Sequence, residues 1–510
     1  MEMNYDENTL HQLEEELQVE IVPGTEIMAD IGSHHFVKSN TSSHRVLVPQ
    51  PSDDPHDPLN WSTFWKFSTL ACATAATFVQ GMGPLALAPM FPQLIQAFNS
   101  NLADVIQFTG VAILVLGFSN FIWHLVLTRL QVGPIIAGPM AEYAGANNTG
   151  WRNFWWLNVG LIGATFLACL FGFPETKWHR MHPDELRRIQ SEAALKNGHQ
   201  KVAIENISGS DIEKTTSPVL PDLSHSTTAQ RDPWLGKGSP SKQQWKIFQA
   251  NPHPLRSILL DLWLPWKLFA FPIVEFASFV VSWSASCYLT DNLLQTQAFA
   301  APPYGYSPLT IGFFNFAVLI GAIIGLVTAG PLSDWISMKL TKRNNGIREP
   351  EMRLPTMIPY FILMLIGNFI TAFGWQNGWS WKVSLSPTIT VFWRKPRVSV
   401  LILYIQIIVI IGWTCTGIQV AALPAIASTY AIDSYKPVSG SIFVSVTVNK
   451  NLWGYGFSKF ISQWVVSSGY VPPIMTNMSL MSLWCLCGII FWFYGKKFRV
   501  WTKNSKVHHM

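Results

Sequence analysis

Hydrophobic residues in this chain fall into long runs separated by polar gaps, not into the one-sided spacing of a soluble amphipathic helix. Ten runs stand out, at about 66–90, 104–127, 131–145, 152–173, 266–290, 309–330, 355–375, 401–428, 437–461 and 474–495. A helix of about 20 apolar residues reaches across the hydrocarbon core of a bilayer. Lipid offers the backbone no hydrogen-bond partners, so a run that crosses it must be helical. The pattern predicts an all-α integral membrane protein with ten transmembrane helices, the run at 131–145 being short for a crossing.

The polar gaps divide the chain. Residues 1–65 are expected as a disordered tail, 66–173 as an N-terminal bundle of four spans, 174–265 as a linker, 266–495 as a C-terminal six-helix bundle and 496–510 as a second tail. Basic residues collect in alternate gaps. The linker opens with Lys177, Arg180, Arg187, Arg188, Lys196 and Lys201; the 331–354 gap holds Lys339, Lys342, Arg343, Arg348 and Arg353; the last tail holds Lys496, Lys497, Arg499, Lys503 and Lys506. Gaps 92–103, 291–308 and 462–473 contain neither Lys nor Arg. Lys and Arg hold their loops on the cytoplasmic side, so the linker and both termini are expected in the cytoplasm. The gap 376–400 breaks this rule with Lys382, Arg394, Lys395 and Arg397.

Composition agrees with a membrane protein. Of 510 residues, 49% are hydrophobic and 13% charged, where soluble domains carry about 25% charge. The net charge of +5 resides in particular loops, which argues against nucleic acid as a partner. The six cysteines lie in or beside apolar runs and read as buried thiols; Cys485 and Cys487 have neither zinc nor disulfide spacing. Phosphate-binding loop, metal-ligand cluster and nucleophile elbow are all lacking, and no histidines cluster inside a span, so neither an enzyme nor a bound metal or cofactor is expected.

Four motifs are more specific. Asp57-Pro58-Leu59-Asn60-Trp61-Ser62 precedes the first run, and Gly133-Pro134-Ile135-Ile136-Ala137-Gly138-Pro139 lies in the third. Gly330-Pro331-Leu332-Ser333-Asp334 is followed by Arg343-Asn344-Asn345-Gly346-Ile347-Arg348-Glu349-Pro350-Glu351, and Val448-Asn449-Lys450-Asn451-Leu452-Trp453-Gly454-Tyr455-Gly456 lies in the ninth. Taken together they resemble the major facilitator superfamily, in its fungal branch of drug or polyamine:proton antiporters. They are similar, in turn, to that branch's motif before the first helix, its fifth-helix antiporter signature, the loop after its eighth helix, and its eleventh helix. The resemblance covers about 57–175 and 260–500. It implies two helix bundles that rock about a central site. It further implies proton-coupled antiport of a small organic cation by alternating access, in the plasma membrane.

Candidate residues follow from the price of polarity in lipid. Glu275 is a carboxylate within the fifth run, open to a proton, to a cationic substrate or to a structural hydrogen bond. Gln80, Asn120, Asn315, Asn368 and Gln419 are neutral polar residues in spans; most such groups bridge helices, and a subset is expected to face the substrate path. Lys450 is mid-span and expects a neutralising partner. Gly133, Pro134, Gly138 and Pro139 give a helix face without bulk and with weakened backbone bonds, suited to a pivot or proton seal, or to close packing. Asp334 is expected to pair with Arg343 or Lys342, or with a neighbouring helix N-terminus, and by resemblance to latch one side of the transporter.

The chain also departs from the family it resembles, which has twelve spans. After Phe121-Ile122-Trp123-His124, the stretch Leu125–Gln131 leads at once into fifth-helix sequence, as though the third and fourth helices were missing. Val383–Gln406 has a foreign composition; Val-Ser is compatible with a splice donor and Gln with an acceptor, so a retained in-frame intron is one reading. The alternative function is therefore a truncated membrane protein, from a splice variant or a misassembled gene, that senses substrate without moving it.

Overall fold

The computed structural model describes residues 22–27, 54–119, 150–176, 235–245, 262–378 and 396–505, isolated positions within them apart. The expected span at 131–145, Met140 apart, and with it Gly133, Pro134, Gly138 and Pro139, lies outside the described residues, as do Asn120, the Leu125–Gln131 joint and most of Val383–Gln406. Gln80 lies in a described helix, but its side chain is outside the description.

The chain divides into two compact units. Within the described part of the first, the residues before the first span are folded. Asp57, Asn60 and Trp61 are fully buried. Asp57 Oδ1 accepts from the Leu59 amide at 2.9 Å, and Trp61 Nε1 donates to the His56 carbonyl at 3.0 Å. Gly238 lies against this turn: its amide donates to the Asn60 carbonyl and its carbonyl accepts from the Ser62 amide, both at 2.8 Å. A Cβ at Gly238 would stand 2.0 Å from the Pro55 carbonyl oxygen, so only glycine fits. The first motif thus has a structural duty: it holds part of the linker at the start of α1 (Thr63–Leu85).

The second unit is helical. Its helices are the short α2 (Phe91–Phe98), α3 (Leu102–Ser119), α4 (Gly150–Gly172), α5 (Pro272–Phe299), α6 (Pro308–Arg343), α7 (Met357–Gln376), α8 (Pro396–Ser434), α9 (Ser439–Ser458), the short α10 (Ile461–Ser468) and α11 (Val471–Thr502). A two-residue pair, β1 (Glu26–Ile27) with β2 (Ile347–Arg348), is antiparallel. Among the described residues six helices are long and apolar enough to span a bilayer, or up to seven if the bent pair Ala88–Phe98 and Leu102–Val115 counts as one. The expected spans at 66–90 and 437–461 are helices of 23 and 20 residues, α1 and α9, too polar to meet that measure.

Pro272 opens α5 at a position where the missing N–H is no loss. Its 28 residues are buried on almost every side, against α8, α9 and α11. Small residues let the neighbours approach. A Cβ at Gly321 would lie 2.1 Å from the Thr414 carbonyl oxygen, and one at Gly417 2.2 Å from that of Val318, so α6 and α8 meet backbone to backbone. By contrast, α4 presents Trp156, Phe166 and Phe171 to its surroundings, as a lipid-facing helix does.

Within the tail expected at 1–65, residues 22–27 and 54–62 are among the described residues. The basic gap expected at 331–354 begins as helix, because α6 runs through Pro331 to Arg343. That length corrects the partner of Asp334. Lys342 and Arg343 are carried about 12–14 Å further along the same helix. The chain reverses at Asn344–Gly346, where Asn345 and Gly346 both have positive φ, and Arg353 comes back to donate to Asp334 Oδ1 at 2.8 Å.

Candidate functional site

The polar interior of the second unit is built on one face of α5: Ser284, Tyr288, Asp291, Asn292 and Gln295, all buried, recur at helical spacing. Each is met from another helix or from its own turn. Ser284 Oγ donates to Gln419 Oε1 of α8 at 3.0 Å. Asn292 Nδ2 donates to the Tyr288 hydroxyl at 3.2 Å. Asn315 of α6 donates to Gln295 Oε1 at 2.9 Å. On adjacent faces, Asn477 of α11 donates to Thr290 Oγ1 at 2.6 Å, and Asn449 of α9 to Ser278 Oγ at 2.7 Å. Four helices therefore send an amide side chain to α5.

Asp291 is the exception. It is 2% exposed, and among the described residues neither carboxylate oxygen has a hydrogen-bond partner by geometry. Its polar neighbour on α8 is Thr416, whose hydroxyl lies within reach of the Asp291 carboxylate and 3.3 Å from the Gly412 carbonyl oxygen. Among the described residues, Asn292 Oδ1, Asn315 Oδ1 and Gln295 Nε2 are also buried without partners. The uncommitted atoms here are thus mostly acceptors. An ionised carboxylate buried alone is unfavourable by roughly several kcal/mol; a proton or a cation removes that penalty.

About two turns beyond Asp291, aromatic rings close the end of α5. Phe299 stacks on Phe314 with centroids 4.8 Å apart, and meets Trp375 at 5.7 Å and Trp413 at 6.0 Å. Tyr304 and Tyr470 border the same cluster, and burial pushes both phenols up to about 12.

The sequence-predicted residues separate. Asn315 and Gln419 are buried and joined to the α5 face. Asn368 donates within its own helix, to the Met364 carbonyl at 2.9 Å. Glu275 is half-buried in the first turn of α5, where a carboxylate is favoured by the helix dipole, rather than in mid-span. Lys450 is buried on α9 beside Asn449. Arg343 is exposed at the end of α6. Asp291, Asn292, Gln295, Thr416 and Asn477 escaped the sequence reading. A usable signal existed: no Gly or Pro interrupts the chain between Pro272 and Pro302, so the helix had room to continue past Asp291.

Charged groups gather at the opposite end of α5. Arg353 Nε donates to Asp433 Oδ2 at 2.7 Å and its Nη1 to Ser333 Oγ at 3.1 Å and to Asp334. Arg348 donates to Ser337 Oγ at 3.2 Å; burial and the nearby Arg353 lower its pKa, and Asp433 and Asp334 offset this. Arg499 is wholly buried between Glu349 and Glu351, at 2.6 and 2.9 Å.

No protein-family model matches the chain. Curated relatives do. It is 25% identical to an uncharacterised MFS-type transporter of Schizosaccharomyces pombe, over 96% of this chain and 94% of that protein. It is 23% identical to protein HOL1 of Saccharomyces cerevisiae, over 91% and 92%. It is 25% identical to the MFS-type efflux pump MFS2 of Trichophyton rubrum, over 94% and 80%. The first alignment runs over 584 positions against 510 residues here, so that relative holds residues this chain lacks.

Proposed function

We propose that this chain, a membrane transporter of the major facilitator superfamily, exchanges a small organic cation for protons, with Asp291 as the group that takes either charge in turn. The observation that carries the reading is the burial of the Asp291 carboxylate with, among the described residues, the Thr416 hydroxyl as its one nearby donor, among amides whose uncommitted atoms are mostly acceptors. Such a lining favours a ligand that brings donors and positive charge. Competition between proton and cation for one carboxylate is enough to couple their movements in opposite directions. Asn315 and Gln419 hold the α5 face in place, and Glu275 stands second as a titrating group nearer the basic end. The bilayer is taken to be the plasma membrane, with the linker and both termini cytoplasmic. The superfamily relatives include a named efflux pump, and export is the direction this reading adopts.

The test is a panel of organic cations in a transporter-deficient yeast expressing the full chain, Asp291→Asn, Asp291→Glu and Glu275→Gln. Wild type should change uptake of, or resistance to, at least one cation. Asp291→Asn should abolish that change, and Asp291→Glu should keep part of it. Wild-type behaviour of Asp291→Asn would remove the assignment.

A second reading is favoured by the residues that the longer relative holds and this chain lacks: a receptor-like protein that binds the cation without moving it. Binding without flux in proteoliposomes selects it.

A further inference from the structure

We infer that the basic end of the second unit carries a peptide-docking surface whose occupant is the chain's own segment Val22–Ile27. Three structural features support this independently of any transport activity. The first is strand addition. β2 is a two-residue edge at the α6–α7 turn, and Glu26–Ile27 pairs with it in antiparallel register, Glu26 opposite Arg348 and Ile27 opposite Ile347. An unpaired edge offers a row of N–H and C=O groups to an extended peptide.

The second is Arg499. Glu351 takes its Nε and Nη2 at 2.9 Å each, and Glu349 takes Nη2 at 2.6 Å. Its Nη1 turns away from both carboxylates, to the Pro23 carbonyl oxygen at 2.8 Å and Thr25 Oγ1 at 3.2 Å. The Thr25 hydroxyl in turn donates to Glu349 Oε2 at 2.9 Å. With the segment in place the guanidinium is wholly buried and its hydrogen bonding complete.

The third is shape. Val22 is 3% exposed. Gly24 has φ +87°, and a Cβ there would stand 2.7 Å from the Asp433 carbonyl oxygen and 2.9 Å from Ser434 Cα. Glycine is needed both for the conformation and for the close approach to the end of α8. The docked strap therefore touches the α6–α7 turn, α8 and α11 together, and pins that end of the unit.

The test uses the full chain in membranes with a protease site inserted between Ser42 and Ser43. Cysteines are introduced in register, as Glu26→Cys with Arg348→Cys and as Ile27→Cys with Ile347→Cys, and out of register, as Glu26→Cys with Ile347→Cys. After mild oxidation and cleavage, an in-register pair should retain the N-terminal fragment on a non-reducing gel, and the out-of-register pair should release it, because neighbouring strand residues point to opposite faces. Adding Gly24→Val to a pair that retains the fragment should cut its yield about tenfold, while Gly236→Val, also at positive φ but with open space around it, should leave the yield unchanged. Release of the fragment from every pair, retention regardless of register, or indifference to Gly24→Val would each overturn the inference.

Discussion

Ser284 on α5 and Gln419 on α8 hold each other twice: the serine hydroxyl donates to Gln419 Oε1 at 3.0 Å, and Gln419 Nε2 donates back to the Ser284 carbonyl oxygen at 3.3 Å. Both residues are fully buried. Gln419→Leu leaves the serine hydroxyl and a helix carbonyl without this partner and should lower stability by about 1–3 kcal/mol. Ser284→Ala should cost less, because it strands only one acceptor. Thermal unfolding in detergent checks this, and the double variant should lose less than the two single losses combined. Strict additivity would mean the pair is not coupled.

Arg353 joins two carboxylates of unequal worth. The Asp334 side chain is 63% exposed, whereas that of Asp433 is 24% exposed and also lies 3.9 Å from Arg348. Asp334→Asn is expected to cost about 0–1 kcal/mol. Asp433→Asn should cost about 1.5–3 kcal/mol, the range for a hydrogen bond to a charged group. The order of the two unfolding temperatures decides the matter; a larger loss at Asp334 would contradict this weighting.

Helix α3 meets α9 at Gly110, where a Cβ would stand 2.1 Å from Ser458 Oγ. Gln107 Nε2 seals the same contact by donating to the Ser458 carbonyl oxygen at 3.0 Å. Gly110→Ala should therefore destabilise the protein by about 1–3 kcal/mol through overpacking. Ser458→Gly, which removes the obstructing atoms, should restore much of the loss in the double variant. A serine that simply rotated away would make Gly110→Ala neutral, and expression with unfolding temperature distinguishes the cases.

Tyr435 lies between α8 and α9, with its hydroxyl 3.0 Å from Thr502 Oγ1. Burial pushes the phenol up to about 12, Glu351 adds to the rise, and the Thr502 contact and Arg499 oppose it. The neutral phenol is the form that fits the fold. This contribution is complete below the ordinary tyrosine value near 10 and is lost as pH rises from there through about 12. Unfolding temperatures between pH 9 and 12 should fall less steeply in Tyr435→Phe than in wild type.

What the sequence made legible was where the long apolar helices lie along the chain more than which way each helix faces. The apolar runs located most of the long helices among the described residues, because transfer into lipid depends on composition. Asn315 and Gln419 were found because a polar residue inside such a run needs a partner. Asp291 was missed for the complementary reason. The apolar run at 266–290 ends where the polar stretch Thr290–Gln297 begins, while the helix continues to Phe299 and buries Asp291 against α8. Arg353 was missed because its meeting with Asp334 depends on the reversal at Asn345 and Gly346, a backbone event without a hydrophobic signature. The ordered strap at 22–27 was invisible for a similar reason: its anchors are one glycine, one threonine and a distant arginine.

The isolation of Asp291 has an energetic consequence that separates a functional group from a structural one. A buried structural carboxylate is held by donors, and its removal lowers stability by about 3–5 kcal/mol. Among the described residues the Thr416 hydroxyl is the one donor near Asp291, too little to offset burial, and the fold bears the expense of keeping the carboxylate. Asp291→Asn replaces the acid with a neutral group of the same shape and should raise stability, by about 1–3 kcal/mol. The two readouts then move in opposite directions: unfolding temperature up, cation exchange lost. Asn292→Ala supplies the contrast, since Asn292 donates to Tyr288 at 3.2 Å and its loss should destabilise by about 1 kcal/mol. Thermal unfolding of both variants in the same detergent is the measurement. A lower unfolding temperature for Asp291→Asn would place the carboxylate among the fold's supports and take away the main reason for assigning it the exchanged charge.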